Sequence, residues 1–475
     1  MALLDFSSYF PVLYIALGSV IVLFSRTLVQ SWRFSSKNPP YPPGPPTRGL
    51  LEGNLKDIPT SQPWLTYTQW GKEYGELVHF RIYGQHTIVL NSFEAVKSLL
   101  EQRSNIYSDR PHIEMIYLTG WVYNIAFKRY GAEWRAHRRL FQQSFRPEAS
   151  LAYRPIIARK VHDMLYNLLL TPEDFQNHYK TVAAAMIMGV VYGYDIEPKE
   201  DYFVSLAEAA VSKLSVCFFP GANAVNAIPI LRYLPEWFPG AAFHHFAKEA
   251  KDLNNQMIDV PFEFVKKTMS FTCLKHHPSY QAAGTAPPSV ASDLLSKFPS
   301  EDAEKNIKQV CATAYAGDKL HAPNDTDIHC HGLKVEQTRY DFTTYDKGHF
   351  VSNDFMMQTS SLMGTFFSLM ALHPEIQKKA QREIDHVVGF SRLVDFDDRE
   401  SLPYLDALCR EIVRWRPVLP LCVTHGTSDE DTYKGYYIPK GKRTSLSCSL
   451  PLTISANVIP NVWYKTILLF ALIQT

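Results

Sequence analysis

The chain has 475 residues, 46% of them apolar and 13% aromatic, enough to bury a large core in one big domain or in several ordinary ones. Lys plus Arg (48) balances Asp plus Glu (47), so no electrostatic footprint points to nucleic acid. Seven scattered cysteines without a Cys-x-x-Cys pair fit a reducing compartment rather than a disulfide framework, and no Gly-rich phosphate loop supports nucleotide binding.

The chain begins with a membrane signal. Tyr9 to Phe24 carries no charge and, with its neighbours, is marginally long enough to cross a bilayer as a helix. Arg26, Arg33 and Lys37 follow this run, whereas Asp5 is the only charge before it. The positive-inside rule then places the N-terminus in the lumen and the body in the cytosol. A cleaved signal peptide is the alternative; its charges would lie on the wrong flank, and no small-residue cleavage site precedes Arg26. Residues 1–37 therefore read as an anchor with a basic flank. Residues 38–49, with six prolines between Pro39 and Pro46, read as a stiff hinge.

Residues 50–441 read as the catalytic body. Leu77–Ile82 and His86–Leu90 alternate in polarity around Tyr83-Gly84-Gln85 and predict a β-hairpin. Helical periods run through Phe93–Arg103, Gly131–Phe145, Tyr153–Leu170, Phe175–Tyr192, Tyr202–Val216, Ala241–Met269, Ala303–Gly317, Thr359–Leu372, Pro374–Val388 and Tyr404–Trp415. A second strand pair is predicted near Thr432–Ile438. The fold class is mainly α with a small β-sheet region. Two stretches break the pattern: residues 318–358 lack any period and interrupt two apolar helical halves, and residues 442–475 read as an aberrant tail.

Two short motifs carry chemistry. Glu411-x-x-Arg414 places a carboxylate and a guanidinium on one helix face; alone, such a pair is an ordinary solvated ion pair. Trp134-x-x-x-Arg138 places an indole and a guanidinium one turn apart. With the anchor, hinge, hairpin and central helix in this order, the chain resembles a eukaryotic membrane-bound cytochrome P-450. Within that family of haem-thiolate monooxygenases it is most similar to fungal enzymes of the group that includes O-methylsterigmatocystin oxidoreductase.

The resemblance implies a cytochrome P-450 fold and haem b as cofactor, with Trp134 and Arg138 on one propionate and His425 on the other. Gly426 stands where the family usually has an arginine. Glu411 and Arg414 would be a buried structural pair completed by a later arginine segment that is not recognisable here. The family's central-helix acid and alcohol would be Asp318 and Thr359, split by an insertion that reads as a retained intron. His321, His329, Cys330, His331 and His349 lie in that insertion, and a metal site there ranks last, because adjacent residues rarely converge on one ion. The axial cysteine motif, Phe-x-x-Gly-x-Arg-x-Cys-x-Gly, does not occur; Cys448 has neither its glycines nor its arginine, so no residue is assigned to the metal.

Two functions follow. The first is a membrane-bound monooxygenase of the EC 1.14 class, on the cytosolic face of the endoplasmic reticulum. It would oxidise a lipophilic small molecule of the secondary-metabolite or xenobiotic class with dioxygen and electrons from NADPH-cytochrome P-450 reductase. The pocket would draw on Pro111–Phe127, Val216–Phe243 and Pro420–Val423. The second is a truncated, haem-free and inactive remnant of that family.

Overall fold

The computed structural model describes residues 38–49, 52–59, 62–197, 200–217, 223–274, 288–319, 359–415, 421–441 and 444–448, with residue 25. The proline run is seated on the body. His79 N–H donates to Pro43 O and Tyr437 N–H to Pro40 O, both at 2.9 Å, and the Tyr41 ring stacks on His79 (4.6 Å) and His86 (4.9 Å). A Cβ at Gly44 would lie 1.9 Å from His79 O, so this close approach requires glycine.

Helix α1 (Pro63–Tyr74) leads into β1 (Leu77–Ile82) and β2 (Gln85–Leu90), the predicted antiparallel hairpin. Its alternating side chains bury Val78, Phe80 and Val89 against Tyr67 and Trp70 of α1. Then come α2 (Glu114–Leu118), α3 (Ala132–Phe145), α4 (Arg154–Leu170), α5 (Phe175–Tyr192) and α6 (Tyr202–Cys217). They are followed by α7 (Ala242–Leu274), α8 (Val290–Lys297) and α9 (Glu301–Lys319). The chain continues with α10 (Thr359–Leu372), α11 (Pro374–Val387) and α12 (Pro403–Trp415).

Helix α5 is the axle. Every residue from Val182 to Tyr192 is buried, as an all-round apolar sequence requires. Its first half joins α4, α10, α11 and α12 in one core; its second half joins α3, α6, α7, α8 and α9 in another. The two segments predicted to form one central helix are thus α9 and α10, both packed on α5 and each in its own core. Residues 320–358, including the histidines of the insertion, lie outside the described residues.

Strands β3 (His425–Gly426) and β6 (Thr444–Cys448) complete a sheet of order β1-β2-β6-β3, in which β2 and β6 run parallel. Strands β4 (Asp431–Tyr433) and β5 (Tyr436–Ile438) form the second predicted pair. Regular structure therefore continues past 441: β6 belongs to the sheet, although the sequence reading left it in the tail. The expected anchor, Tyr9–Phe24, lies outside the described residues, and among the described residues no helix is long and apolar enough to cross a membrane.

Candidate functional site

Helix α3 presents Trp134 and Arg138 on one side, as their spacing predicts. Trp134 is half-buried against the core of α5–α9, and the Arg138 guanidinium lies over its indole, 5.2 Å from the ring centre. Between them, buried His137 shares a hydrogen with Asn306 Oδ1 of α9 at 3.0 Å, which ties α3 to the central helix. Desolvation holds the Arg138 pKa below the usual arginine value. Among the described residues it has no carboxylate partner. A desolvated guanidinium without a counter-ion is a place prepared for an anion.

The second part of the site is built where residues 107–111 meet residues 423–428. His425 begins β3, and its Nδ1–H donates to Tyr107 O at 2.7 Å. Desolvation, helped by the nearby Arg110 charge, pushes the His425 pKa down to about 3, so the ring is neutral. Arg110 Nη1 donates to Val423 O (3.0 Å) and Thr424 O (3.1 Å), which brings its guanidinium beside His425. Gly426 N–H donates to Asp109 O at 2.7 Å. A Cβ on Gly426 would sit 3.0 Å from both Arg110 C and Pro111 N, so the bare position lets the two segments close.

Asp109 joins the two parts. Its carboxylate accepts a bidentate pair from Arg129 and the N–H of Tyr130, just before α3, while its carbonyl holds Gly426. Burial alone would raise the Asp109 pKa, but Arg129 and the backbone N–H groups outweigh it and hold the carboxyl below the usual range. Sequence reasoning missed both Asp109 and Arg110. The available signal was Asp109-Arg110-Pro111, a charged pair locked by proline at the start of an apolar loop.

The remaining expected residues lie on other helices. Asp318 lies in the last turn of α9 and Thr359 opens α10, where it is buried. Glu411 and Arg414 do form a bidentate pair, through Arg414 Nε to Glu411 Oε2 at 2.7 Å and a second contact from Nη2. The pair is not buried, however: the two side chains are 54% and 34% exposed. The expected enclosure is corrected, since no described segment covers this face of α12. Burial pushes the Cys217 thiol up to about 11 and the Cys311 thiol to about 12, the opposite of what an iron-ligating thiolate needs. Among the described residues no group of three metal-ligating side chains gathers.

The sequence model of the cytochrome P-450 family matches residues 42–280 and 356–450, leaving 281–355, with α8, α9 and most of the interruption, unmatched. The chain is 34% identical to cytochrome P-450 monooxygenase COX1 of Coprinopsis cinerea over 90% of its own length and 75% of that protein. It is 33% identical to cytochrome P-450 monooxygenase 208 of Postia placenta, covering 94% and 75% of the two chains. Against cytochrome P-450 monooxygenase ppsD of Aspergillus oryzae it is 33% identical over 89% and 69%.

Proposed function

The chain belongs to the cytochrome P-450 monooxygenase family, whose cofactor is haem, and from that premise we propose a haem-thiolate monooxygenase of fungal secondary metabolism acting on an apolar small molecule. When bound, haem supplies the electron-transfer and dioxygen chemistry. The side chains of this polypeptide hold and surround it. Arg138 and Trp134 take one propionate, and His425 with Arg110 takes the other. A propionate against His425 would draw a second proton onto its ring, because an adjacent anion favours the charged imidazole. Asp318 and the Thr359 hydroxyl are the proton-delivering pair. The substrate lies among apolar groups of the region from Ile113 to Phe127 and of α6. Electrons come from NADPH-cytochrome P-450 reductase, and residues 1–37 hold the body on the cytosolic face of the endoplasmic reticulum.

The observation that carries this reading is the half-buried guanidinium of Arg138, which lies over Trp134 and has no carboxylate partner among the described residues, within the segment that the family model matches. A second reading concerns this polypeptide itself: the sequence contains no axial cysteine motif, so the 475 residues take haem by its propionates without a thiolate on iron. The test is to express the chain with haem supplied, reduce it, add carbon monoxide and record the Soret band. Haem uptake that depends on Arg138, without the red-shifted thiolate band, is expected. A thiolate band together with reductase-driven oxygenation would overturn the second reading, and no haem uptake at all would overturn the first. Removal of residues 1–36 should release much of the protein from membranes; recovery of the full chain as a cleaved, soluble form would refute the topology.

A further inference from the structure

The buried side chains of α3 are His137, Phe141, Ser144 and Phe145, a stripe at helical spacing that faces the core. Phe141 and Phe145 pack on one another with ring centres 4.6 Å apart. Apolar contacts of this kind have no direction, so they leave the helix some freedom to turn about its axis. His137 is different. It stands at the start of the stripe, 2% exposed, and its Nε2–H donates to Asn306 Oδ1 of α9 at 3.0 Å. The helix around Asn306 is held in turn, since Ile307, Val310 and Cys311 are fully buried. Burial, with the charge of Lys128 nearby, holds the His137 pKa below its usual 6.5, so the ring is neutral and carries one N–H. Nδ1 is left without a hydrogen-bond partner, with the Tyr123 carbonyl close by but off the direction of a bond.

As core filling, this ring is a poor choice. A phenyl group would occupy much the same space and bury no unpaired nitrogen. What the imidazole adds is one directed tie between α3 and α9. Its place on the helix says what the tie controls. Trp134 lies about one turn before His137, and Arg138 is the next residue along. The Arg138 guanidinium rests over the Trp134 ring, so the two turn together with the helix. A roll of about 20° would carry groups at a radius of about 5–6 Å through about 2 Å. A hydrogen bond does not survive a displacement of that size.

We propose that His137 is a positioning residue: through Asn306 it fixes the rotation of α3 at which Arg138, backed by Trp134, meets a cofactor propionate. This role rests on the propionate assignment of Arg138, and the test separates the two. The probe is metal-free protoporphyrin IX, which carries the propionates of haem and no iron; its binding to the full chain is followed by porphyrin fluorescence. His137→Phe should weaken binding roughly tenfold and leave the urea midpoint of the porphyrin-free chain unchanged. Asn306→Leu should do the same from the other helix, and His137→Gln, which keeps an N–H donor, should stay near wild type. In the Arg138→Leu background, His137→Phe should weaken binding no further, because a residue that acts through Arg138 then has nothing left to position. Wild-type affinity in His137→Phe, losses that multiply in the double variant, or a fall in the porphyrin-free urea midpoint to match the lost affinity would overturn the positioning role. Equal binding by Arg138→Leu and wild type, or no porphyrin binding by wild type, would instead overturn the propionate assignment, and the role of His137 with it.

Discussion

Arg138→Leu separates a cofactor-holding guanidinium from one that merely supports the fold. In the haem-free chain, Arg138 has an indole partner and, among the described residues, no carboxylate. Leucine loses the cation–π contact, about 1 kcal/mol for a half-buried pair, and removes a partly desolvated charge, an offset of similar size. Stability should therefore stay within about 1 kcal/mol of wild type. With haem, the proposed assignment has the same change remove a charge-assisted hydrogen bond to a propionate, which would be worth about 1.5–3 kcal/mol. At about 1.4 kcal/mol per factor of ten, haem affinity falls roughly 10- to 100-fold. The assay is an absorbance titration with haem beside urea unfolding of the haem-free chain. Arg135→Leu, an exposed neighbour on α3 over the Tyr130 ring, is the control and should leave affinity unchanged. Equal affinities in Arg138→Leu and wild type, or a large loss of haem-free stability, would refute the reasoning.

Asp109→Asn should cost about 2 kcal/mol in urea unfolding at neutral pH, discounted because Arg129 is part-exposed and can be hydrated. Because the folded Asp109 pKa is depressed, its contribution is present above the ordinary value of 3.8 and lost as pH falls through the folded pKa. The gap between variant and wild type should therefore close in acid. His79 and His425 are each held neutral, with pKa values of about 3 against an ordinary 6.5. Their contribution is present above pH 6.5 and is lost as pH falls toward 3, so His79→Phe should flatten part of the decline in urea midpoint across that window. Glu411→Gln should change stability by less than about 1 kcal/mol, as for a solvent-exposed pair; a loss of several kcal/mol would show that the pair is enclosed after all.

The elements legible in the sequence were those whose burial is periodic. Gly131–Phe145 and Tyr202–Val216 were read nearly to the residue, because buried side chains recur on one face of each at helical spacing. Helix α1 was missed: its apolar residues, Trp64, Leu65, Tyr67 and Trp70, follow a helix-breaking proline run and make no strong stripe. Helix α8 was missed because eight residues are too few to show a period, although Ser289 and Ser292 form a capping box that marks its start. Strand β6 was passed over because Thr-Ser-Leu-Ser-Cys is weakly apolar and gains its place from two neighbouring strands.

The site divides along the same line. Trp134 and Arg138 are a local motif, separated by one helical turn, and a sequence displays such spacing directly. The group around His425 is non-local: Arg110 binds carbonyls 313 and 314 positions away, and no periodicity records that. The glycine at 426 stands where the resemblance expects an arginine, and so a contact to the cofactor. In the fold, the same glycine favours the contact that replaces it, because a Cβ there would crowd the backbone of Arg110 and Pro111 at 3.0 Å. A cation beside His425 is therefore kept, carried on the segment that Asp109 fastens to α3. Arg138 and His425 are thereby tied through one residue: Asp109 holds the backbone just before α3 through its carboxylate and Gly426 of β3 through its carbonyl.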